Sequence, residues 1–229
     1  MKLMKFALAL FAIAALCSFA LIKSNDSKLP IDKTYKNFLE KFDKVKFPLK
    51  ITAKRFKTSE AYFNSVDSED NRSDYKKHLS SEYAGILPEI SSGRMSRMGP
   101  DEYQAEVMLA STKHFDAVMF SRIPSFGGNK TYYVATFDKN GKMLSKMAVA
   151  SDGYSYVEDC KISKSLVINI DKFKIEGLNG DEGDTALSYV HTSSKEYMIN
   201  GSGIIIDTAA KKSAAPQHQK TAKGDMGMR

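Results

Sequence analysis

The sequence predicts a mainly β domain, an antiparallel meander that closes into a barrel or folds into a sandwich. One N-terminal amphipathic helix and a region of acidic loop and short helix are expected beside it. From residue 102 onward apolar side chains recur at every second position, which places them on one face of a strand. The connections between these runs are short, whereas parallel strands need crossovers of about a dozen residues or more. An antiparallel order is therefore expected.

The N-terminus has the layout of a secretory signal peptide. Two lysines precede an apolar run at residues 6–16, and Ser18 and Ala20 supply small side chains before a cleavage point. We expect residues 1–20 to be the signal peptide and residues 21–29 to be a polar linker. The protein is then exported to the periplasm, the outer envelope or the extracellular space.

Two alternatives to cleavage after Ala20 remain open. The uncharged run extends through Ile22 and so reaches the lower limit of about 17 residues for a transmembrane helix, which would leave an uncleaved anchor. The segment ending at Cys17 is also similar to a lipoprotein signal, although Leu16 stands where that signal has a small residue. Membrane attachment is expected only through such an anchor or a lipidated Cys17.

The net charge of +7 is concentrated at the two ends of the chain. Residues 208–229 are basic and lack apolar periodicity, so we expect a disordered tail. Residues 30–207, which we expect to form a single β-rich domain, hold nearly equal numbers of acidic and basic side chains. Because a nucleic-acid site needs a basic cluster on the domain itself, no nucleic-acid partner is expected.

Residues 30–48, bracketed by two prolines, predict the N-terminal helix. Their apolar side chains recur three and four positions apart and so line one helical face. These side chains are Ile31, Tyr35, Phe38, Leu39, Phe42 and Val45. Lysines occupy the other side, which indicates a helix packed on the core with a solvated face; a cationic helix at a membrane or acidic polymer is the alternative. Beyond it we expect an acidic loop at residues 64–74, a short helix at residues 74–83 and a long connection at residues 87–100.

The clearest predicted hairpin joins residues 131–137 to residues 143–150. Both segments are rich in apolar and β-forming side chains, and Asn140-Gly141 between them accepts the positive φ that a tight turn requires. Alternation predicts further strands at residues 103–109, 115–119, 154–162, 165–170, 186–191 and 196–206.

One strand changes the phase of its apolar residues. Ile168 and Ile170 alternate regularly, but Phe173 and Ile175 fall on the opposite phase. We expect either a bulge or a turn at residues 171–172.

Three segments carry a family resemblance: FLEKFDKVKFPLKI at residues 38–51, YYVATFDKNGKMLSKMAVAS at residues 132–151, and a terminal GIII strand. With them the chain resembles the uncharacterised secreted proteins and lipoproteins that are common in the Bacteroidota. The resemblance implies an envelope or extracellular location and assigns no catalytic residues.

Common catalytic motifs are absent from the sequence. It contains neither a Gly-x-Ser-x-Gly elbow, nor a His-Glu-x-x-His zinc motif, nor a phosphate-binding loop. No cofactor is expected. If the leader is removed, Cys160 is the one remaining cysteine, so no internal disulfide forms.

Glu158 and three tyrosines are the candidate ligand-binding residues. On its predicted strand Glu158 shares a face with Tyr154 and Tyr156, and Tyr132 belongs to the neighbouring aromatic run. A carboxylate among aromatic rings is either an acid with a shifted pKa or a residue at an open barrel mouth or sheet edge. Tyrosine itself offers apolar surface and a hydroxyl to a glycan or peptide.

Asp181, Glu182 and Asp184 are the candidate metal ligands. They lie in a glycine-rich segment, residues 177–184, and supply the carboxylate oxygens that calcium prefers. The alternative is a plain connection between strands.

These observations favour an exported, non-catalytic binding or structural protein of the cell envelope or extracellular space. Its expected partner is a glycan, a peptide or another envelope protein. The alternative is a secreted hydrolase that acts on polysaccharide or peptide, with Glu158 or an acidic-loop residue as the acid.

Overall fold

The computed structural model describes residues 31–66, 77–92, 99–125, 130–178 and 185–209. Its helices are α1 (Ile31–Glu40), α2 (Ser59–Val66) and α3 (Glu89–Ser92), with a 3₁₀ turn at Ser81–Tyr83. Its strands are β1 (Asp43–Lys44), β2 (Leu49–Ile51), β3 (Glu102–Ser111), β4 (Phe115–Ile123), β5 (Thr131–Asp138), β6 (Met143–Asp152), β7 (Tyr156–Ile162), β8 (Val167–Glu176), β9 (Ser188–Ile199) and β10 (Ile205–Asp207). The prediction of a mainly β domain is confirmed.

Several sequence predictions lie outside the described residues. They are the signal peptide with Cys17, the linker, most of the acidic loop, the candidate metal ligands Asp181, Glu182 and Asp184, and the basic tail from residue 210.

The strands form one sheet in the order β1-β3-β4-β5-β6-β7-β8-β9-β10, with β2 added beside β7. From β3 to β10 each strand is antiparallel to the next, which confirms the meander. The short β1 lies parallel to β3 at one end of the order. Since β1 and β10 stand at opposite ends, the described sheet does not close into a barrel.

The sheet divides between β6 and β7. These strands pair only where Ser151 lies opposite Glu158 and Asp152 opposite Val157. The far end of β7 pairs instead with β2, where Ile51 lies opposite Cys160. The strands from β3 to β6 and those from β7 to β10 therefore form two halves that enclose one core, an arrangement closer to a sandwich.

The core between the two halves is built by alternate side chains of every long strand. On β4, for example, Phe115, Ala117 and Met119 point inward. The other buried members of this inner core are Leu109, Val134, Val149, Ala150, Cys160, Ile162, Ile168 and Ile199.

Helix α1 covers the outer face of β3, β4 and β5. Phe38 on the helix is fully buried, and its ring centroid lies 5.5 Å from that of Phe137 on β5. The prediction of a helix packed on the core is thus confirmed. The helix is shorter than its apolar pattern, because the chain leaves it after Glu40 to place Asp43 beside Val107 of β3. Val45 packs against the inner core instead.

The hairpin between β5 and β6 forms as predicted. Asp138 and Lys142 close its turn through a backbone hydrogen bond of 2.9 Å. Gly141 has a φ of +82°, and a Cβ at this position would lie 2.9 Å from the ring of Tyr35. The glycine is therefore required both by the turn and by the approach of α1.

Several predicted elements differ in extent, and in two of them the type or the division of the element changes. The predicted short helix at residues 74–83 is reduced, within the described residues 77–83, to the 3₁₀ turn at Ser81–Tyr83, whose Tyr83 is buried under α1. The two strands predicted at residues 186–191 and 196–206 were divided wrongly: the structure has one long β9 and a short β10. The middle of β9 is an exposed polar run, so its side chains show no apolar alternation from which the sequence could reveal one continuous strand.

The phase change on β8 comes from burial on both of its faces. Ile168 and Ile170 pack in the inner core, while Phe173 and Ile175 pack on the opposite face against Ala53. The register between β8 and β9 shifts after Lys172, with the extra residue in β9. A register shift is thus present at this point, but its extra residue belongs to β9, and β8 itself continues without a bulge or a turn.

A buried carboxylate ties α1 to the sheet. The side chain of Asp116 on β4 is 2% exposed and accepts hydrogen bonds from the Tyr35 hydroxyl at 3.0 Å and the Ser111 hydroxyl at 2.6 Å. The Lys139 ammonium lies 2.7 Å from the same carboxylate. Burial, reinforced by the charge of Asp116, raises the pKa of Tyr35, so its hydroxyl remains a donor.

Replacing Tyr35 with phenylalanine is expected to lower the free energy of unfolding by about 1.5–3 kcal/mol, as for a lost hydrogen bond to a charged group. Urea denaturation followed by circular dichroism measures the change. Tyr154→Phe is the matched control, since that side chain is 57% exposed and should change stability little. Equal losses in the two variants would contradict the role given to the Tyr35–Asp116 bond.

Candidate functional site

The inner face of the sheet changes from apolar to polar at one end of the core. Ser121 follows Met119 inward on β4, and Tyr132 precedes Val134 on β5. Glu158 occupies the same face of β7 as buried Cys160, two residues further on. We call this polar end the mouth. It comprises Glu106, Ser121, Lys130, Tyr132, Ser151, Asp152 and Glu158.

The mouth opens into a cleft of about 280 Å³. It exists because β6 and β7 separate beyond Ser151, while the chain that leaves β2 passes alongside at Thr52. The residues that line the cleft are Ile51, Thr52, Ala53, Lys54, Lys130, Tyr132, Ala150, Ser151, Asp152 and Glu158. Apolar side chains from the core thus meet charged and hydroxyl groups in one cleft.

One wall of the mouth is organised around Lys130. Its ammonium lies 2.8 Å from the Glu106 carboxylate and 4.9 Å from the centre of the Tyr132 ring. Ser121, which is fully buried, donates a hydrogen bond of 2.7 Å to the same carboxylate. Burial by itself lowers the pKa of Lys130, but the hydrogen bond and charge of Glu106 outweigh it and raise the pKa. Lys130 therefore carries its charge at neutral pH.

The opposite wall is organised around Glu158. Its carboxylate accepts a hydrogen bond of 3.3 Å from the Ser151 hydroxyl and lies 3.8 Å from the Lys172 ammonium. The same ammonium sits 4.5 Å from the centre of the Tyr156 ring. Tyr156, which is 41% exposed, therefore stands at the rim of the mouth.

Asp152 supplies a second carboxyl group to the cleft. It accepts a hydrogen bond of 3.2 Å from the backbone N–H of Lys54. Burial raises the pKa of Asp152 above its ordinary value, although the backbone donor opposes that effect. Burial also raises the pKa of Tyr132, so its hydroxyl is neutral. The cleft therefore offers an ammonium, two carboxyl groups, hydroxyls and an aromatic ring.

The structure brings together three of the four candidate ligand-binding residues. Tyr132 and Glu158 line the cleft, and Tyr156 stands at its rim. Tyr154 lies away from the cleft lining, on the turn between β6 and β7, where its ring contacts Tyr62 edge-on at 6.0 Å.

Sequence reasoning missed Lys130, Ser151 and Asp152. Each lies at the end of a strand, and it joins the mouth only through the pairing of β5, β6 and β7. The one available signal was their position beside predicted strand ends, which does not distinguish them from ordinary surface residues.

Within the described ranges, no group of three or more His, Cys, Asp or Glu side chains is arranged to hold a metal ion. None of the helices in that same part of the chain has the length and apolar composition needed to cross a bilayer. Comparisons with protein-family models, with curated proteins and with solved structures found no match for this chain. The geometry and chemistry of the mouth are accordingly the basis for a functional assignment.

Proposed function

We propose that the protein is an exported, non-catalytic binding protein of the cell envelope or extracellular space, with the mouth as its ligand site. The observation that carries this proposal is the cleft between β6 and β7, where the apolar core ends in charged and hydroxyl groups. Support for export comes from the cationic and apolar leader at residues 1–20.

The pairing of the charged groups in the mouth favours a binding role. Lys130 is held by Glu106, and Glu158 lies against Lys172 and Ser151. Catalytic acids, bases and nucleophiles instead need a poised proton or an activated atom. Paired charges of this kind fix the shape and polarity of a site, which favours recognition.

A secreted hydrolase acting on polysaccharide or peptide is the second candidate, and one observation favours it. Asp152 and Glu158 are two carboxyl groups in a single cleft, and burial raises the pKa of Asp152. Two carboxyl groups in different environments are the pairing that glycoside hydrolysis uses. The release of reducing ends or amines, lost in Asp152→Asn, is the result that would support this activity.

The binding proposal predicts that a small polar compound raises the melting temperature of the protein. A ligand present at about one hundred times its Kd stabilises a folded protein by about 2.7 kcal/mol. The screen covers sugars, amino acids, short peptides and nucleosides, and the readout is the thermal unfolding transition. We expect at least one class to shift it.

Two glutamate variants place the binding site. Glu158→Gln should weaken the shift, because it removes a charge that lines the cleft. Glu176→Gln is the matched control, since that carboxylate also pairs with a lysine, at 3.2 Å, but lies outside the cleft lining. If no compound in the screen shifts the melting temperature, the proposal is overturned. If a ligand shifts the melting temperature of Glu158→Gln and Glu176→Gln equally, the mouth is not the binding site.

A further inference from the structure

We propose that the ligand of the mouth is an uncharged glycan, recognised through one sugar residue or the terminal residue of a longer chain. This inference rests on the proposed binding function and adds the chemical class of the ligand. Four observations support it: the balanced charges of the two walls, their remaining hydrogen-bonding capacity, the tyrosines beside them and the size of the cleft.

The first argument is that the fixed charges of the mouth are already balanced. Lys130 lies 2.8 Å from Glu106 on one wall, and on the other Glu158 lies 3.8 Å from Lys172. The third carboxyl group, Asp152, is balanced by the nearby positive charges of Lys54 and Arg55. A charged ligand would have to displace one of these pairs or bring an unpaired charge into a half-buried cleft, and both are unfavourable. An uncharged ligand meets neither obstacle.

The second argument is that these paired groups retain hydrogen-bonding capacity. An ammonium has three N–H donors and a carboxylate has about four acceptor sites, so the two protein partners of Lys130 and the two of Glu158 do not exhaust either group. A sugar hydroxyl both accepts and donates, and it can accept from Lys130 or donate to Glu158. Bonds to ionised groups are the stronger ones, so the arrangement favours a ligand rich in hydroxyls.

The third argument is the aromatic surface. Tyr132 lines the cleft, and Tyr156 at the rim is 41% exposed. A tyrosine ring combines a broad apolar surface with a polar edge, which complements the C–H face of a sugar and the hydroxyls around it. Ile51 and Ala150 add apolar contact in the cleft.

The fourth argument is size. The cleft of about 280 Å³ is close to the lower end of ligand pockets, which span about 300–1,000 Å³. It therefore suits one sugar residue. Tyr156 is 41% exposed and contacts Lys172 beside Glu158, so it offers a surface on which further residues of a chain can lie.

The test is a calorimetric titration of the full chain with methyl glucoside, methyl galactoside, N-acetylglucosamine and their trisaccharides. Glucuronic acid and glucosamine, which carry a charge on the same ring, are the comparators, together with glycine and alanine as zwitterions. We expect at least one uncharged sugar to bind at least about tenfold more tightly than its charged counterpart, a difference of about 1.4 kcal/mol. Its addition should also shift the NMR signals of the Tyr132 ring, which locates the site without any substitution.

The variants separate this inference from the function on which it rests. Glu158→Gln should weaken sugar binding about tenfold or more, while Glu176→Gln leaves it unchanged. Tighter binding of a charged sugar or an amino acid, lost in Glu158→Gln, would overturn the glycan assignment and leave the binding function standing. Binding of an uncharged sugar that leaves the Tyr132 signals and both variants unaffected would place it elsewhere and overturn the inference. If none of these compounds binds, the inference is overturned. If the broad thermal-unfolding screen also shows no shift, the binding function is overturned as well.

Discussion

Replacing Phe38 with alanine is expected to lower the free energy of unfolding by about 3–5 kcal/mol. The Phe38 side chain is fully buried between α1 and the sheet, at the centre of a group of aromatic rings. Its ring centroid lies 5.0 Å from that of Phe42, 5.5 Å from Phe137 and 5.6 Å from Tyr83. Truncation would remove these contacts and leave a cavity that the helix can fill only in part, so both losses add.

Chemical denaturation of Phe38→Ala measures this loss, and Phe173→Ala is the matched control. Phe173 is only partly buried in a small cluster on the outer face of β8, so the same truncation should cost less there. A loss below about 1 kcal/mol in Phe38→Ala would mean that α1 contributes little to the stability of the domain.

Native Cys160 is expected to react with iodoacetamide at pH 8 at least about a thousandfold more slowly than the same thiol in urea. Its side chain is 4% exposed, and burial raises the pKa of the thiol from 9.0 to about 12. The thiolate is the reactive form, so a shift of this size removes almost all of it, and burial also blocks the reagent.

Mass spectrometry of the peptide that contains Cys160 measures the labelling rate without interference from Cys17. A Tyr154→Cys variant supplies an exposed thiol in the same folded molecule as an internal reference. Because the unfolded thiol ionises near 9.0 and the folded one near 12, unfolding releases a proton between these values, so stability should decline as pH rises through that window. Similar rates for Cys160 and the reference thiol would show that the inner core is open.

Local patterns in the sequence predicted the elements that depend on local physics. Asn140-Gly141 identified the hairpin because positive φ is a property of the turn itself. The spacing of Tyr35 and Phe38 identified the buried face of α1 because helical periodicity is fixed by the backbone. Glu158 was assigned to the correct face of its strand for the same reason.

The mouth could not be predicted in this way because it is produced by non-local pairing. Lys130 and Asp152 come together only after β5, β6 and β7 align, and the cleft exists only because β7 exchanges β6 for β2 along its length. No periodicity in the sequence indicates that a strand changes its pairing partner along its length. The barrel and the sandwich also share the same alternation, so the sequence did not distinguish them.

The pairing of β2 with β7 also determines how late in folding this part of the domain can form. The backbone N–H of Ala53, just after β2, bonds the side chain of Asp159, 106 residues further along. Contacts of such long sequence separation form slowly, since a large loop must be closed first. In the export that we propose, a chain threaded through a translocon from its N-terminus would therefore emerge with residues 49–51 still lacking their partner. Their partner at the end of β7, and β8 to β10 after it, would follow only when most of the polypeptide had crossed, so the domain would stay incompletely folded until late in its passage.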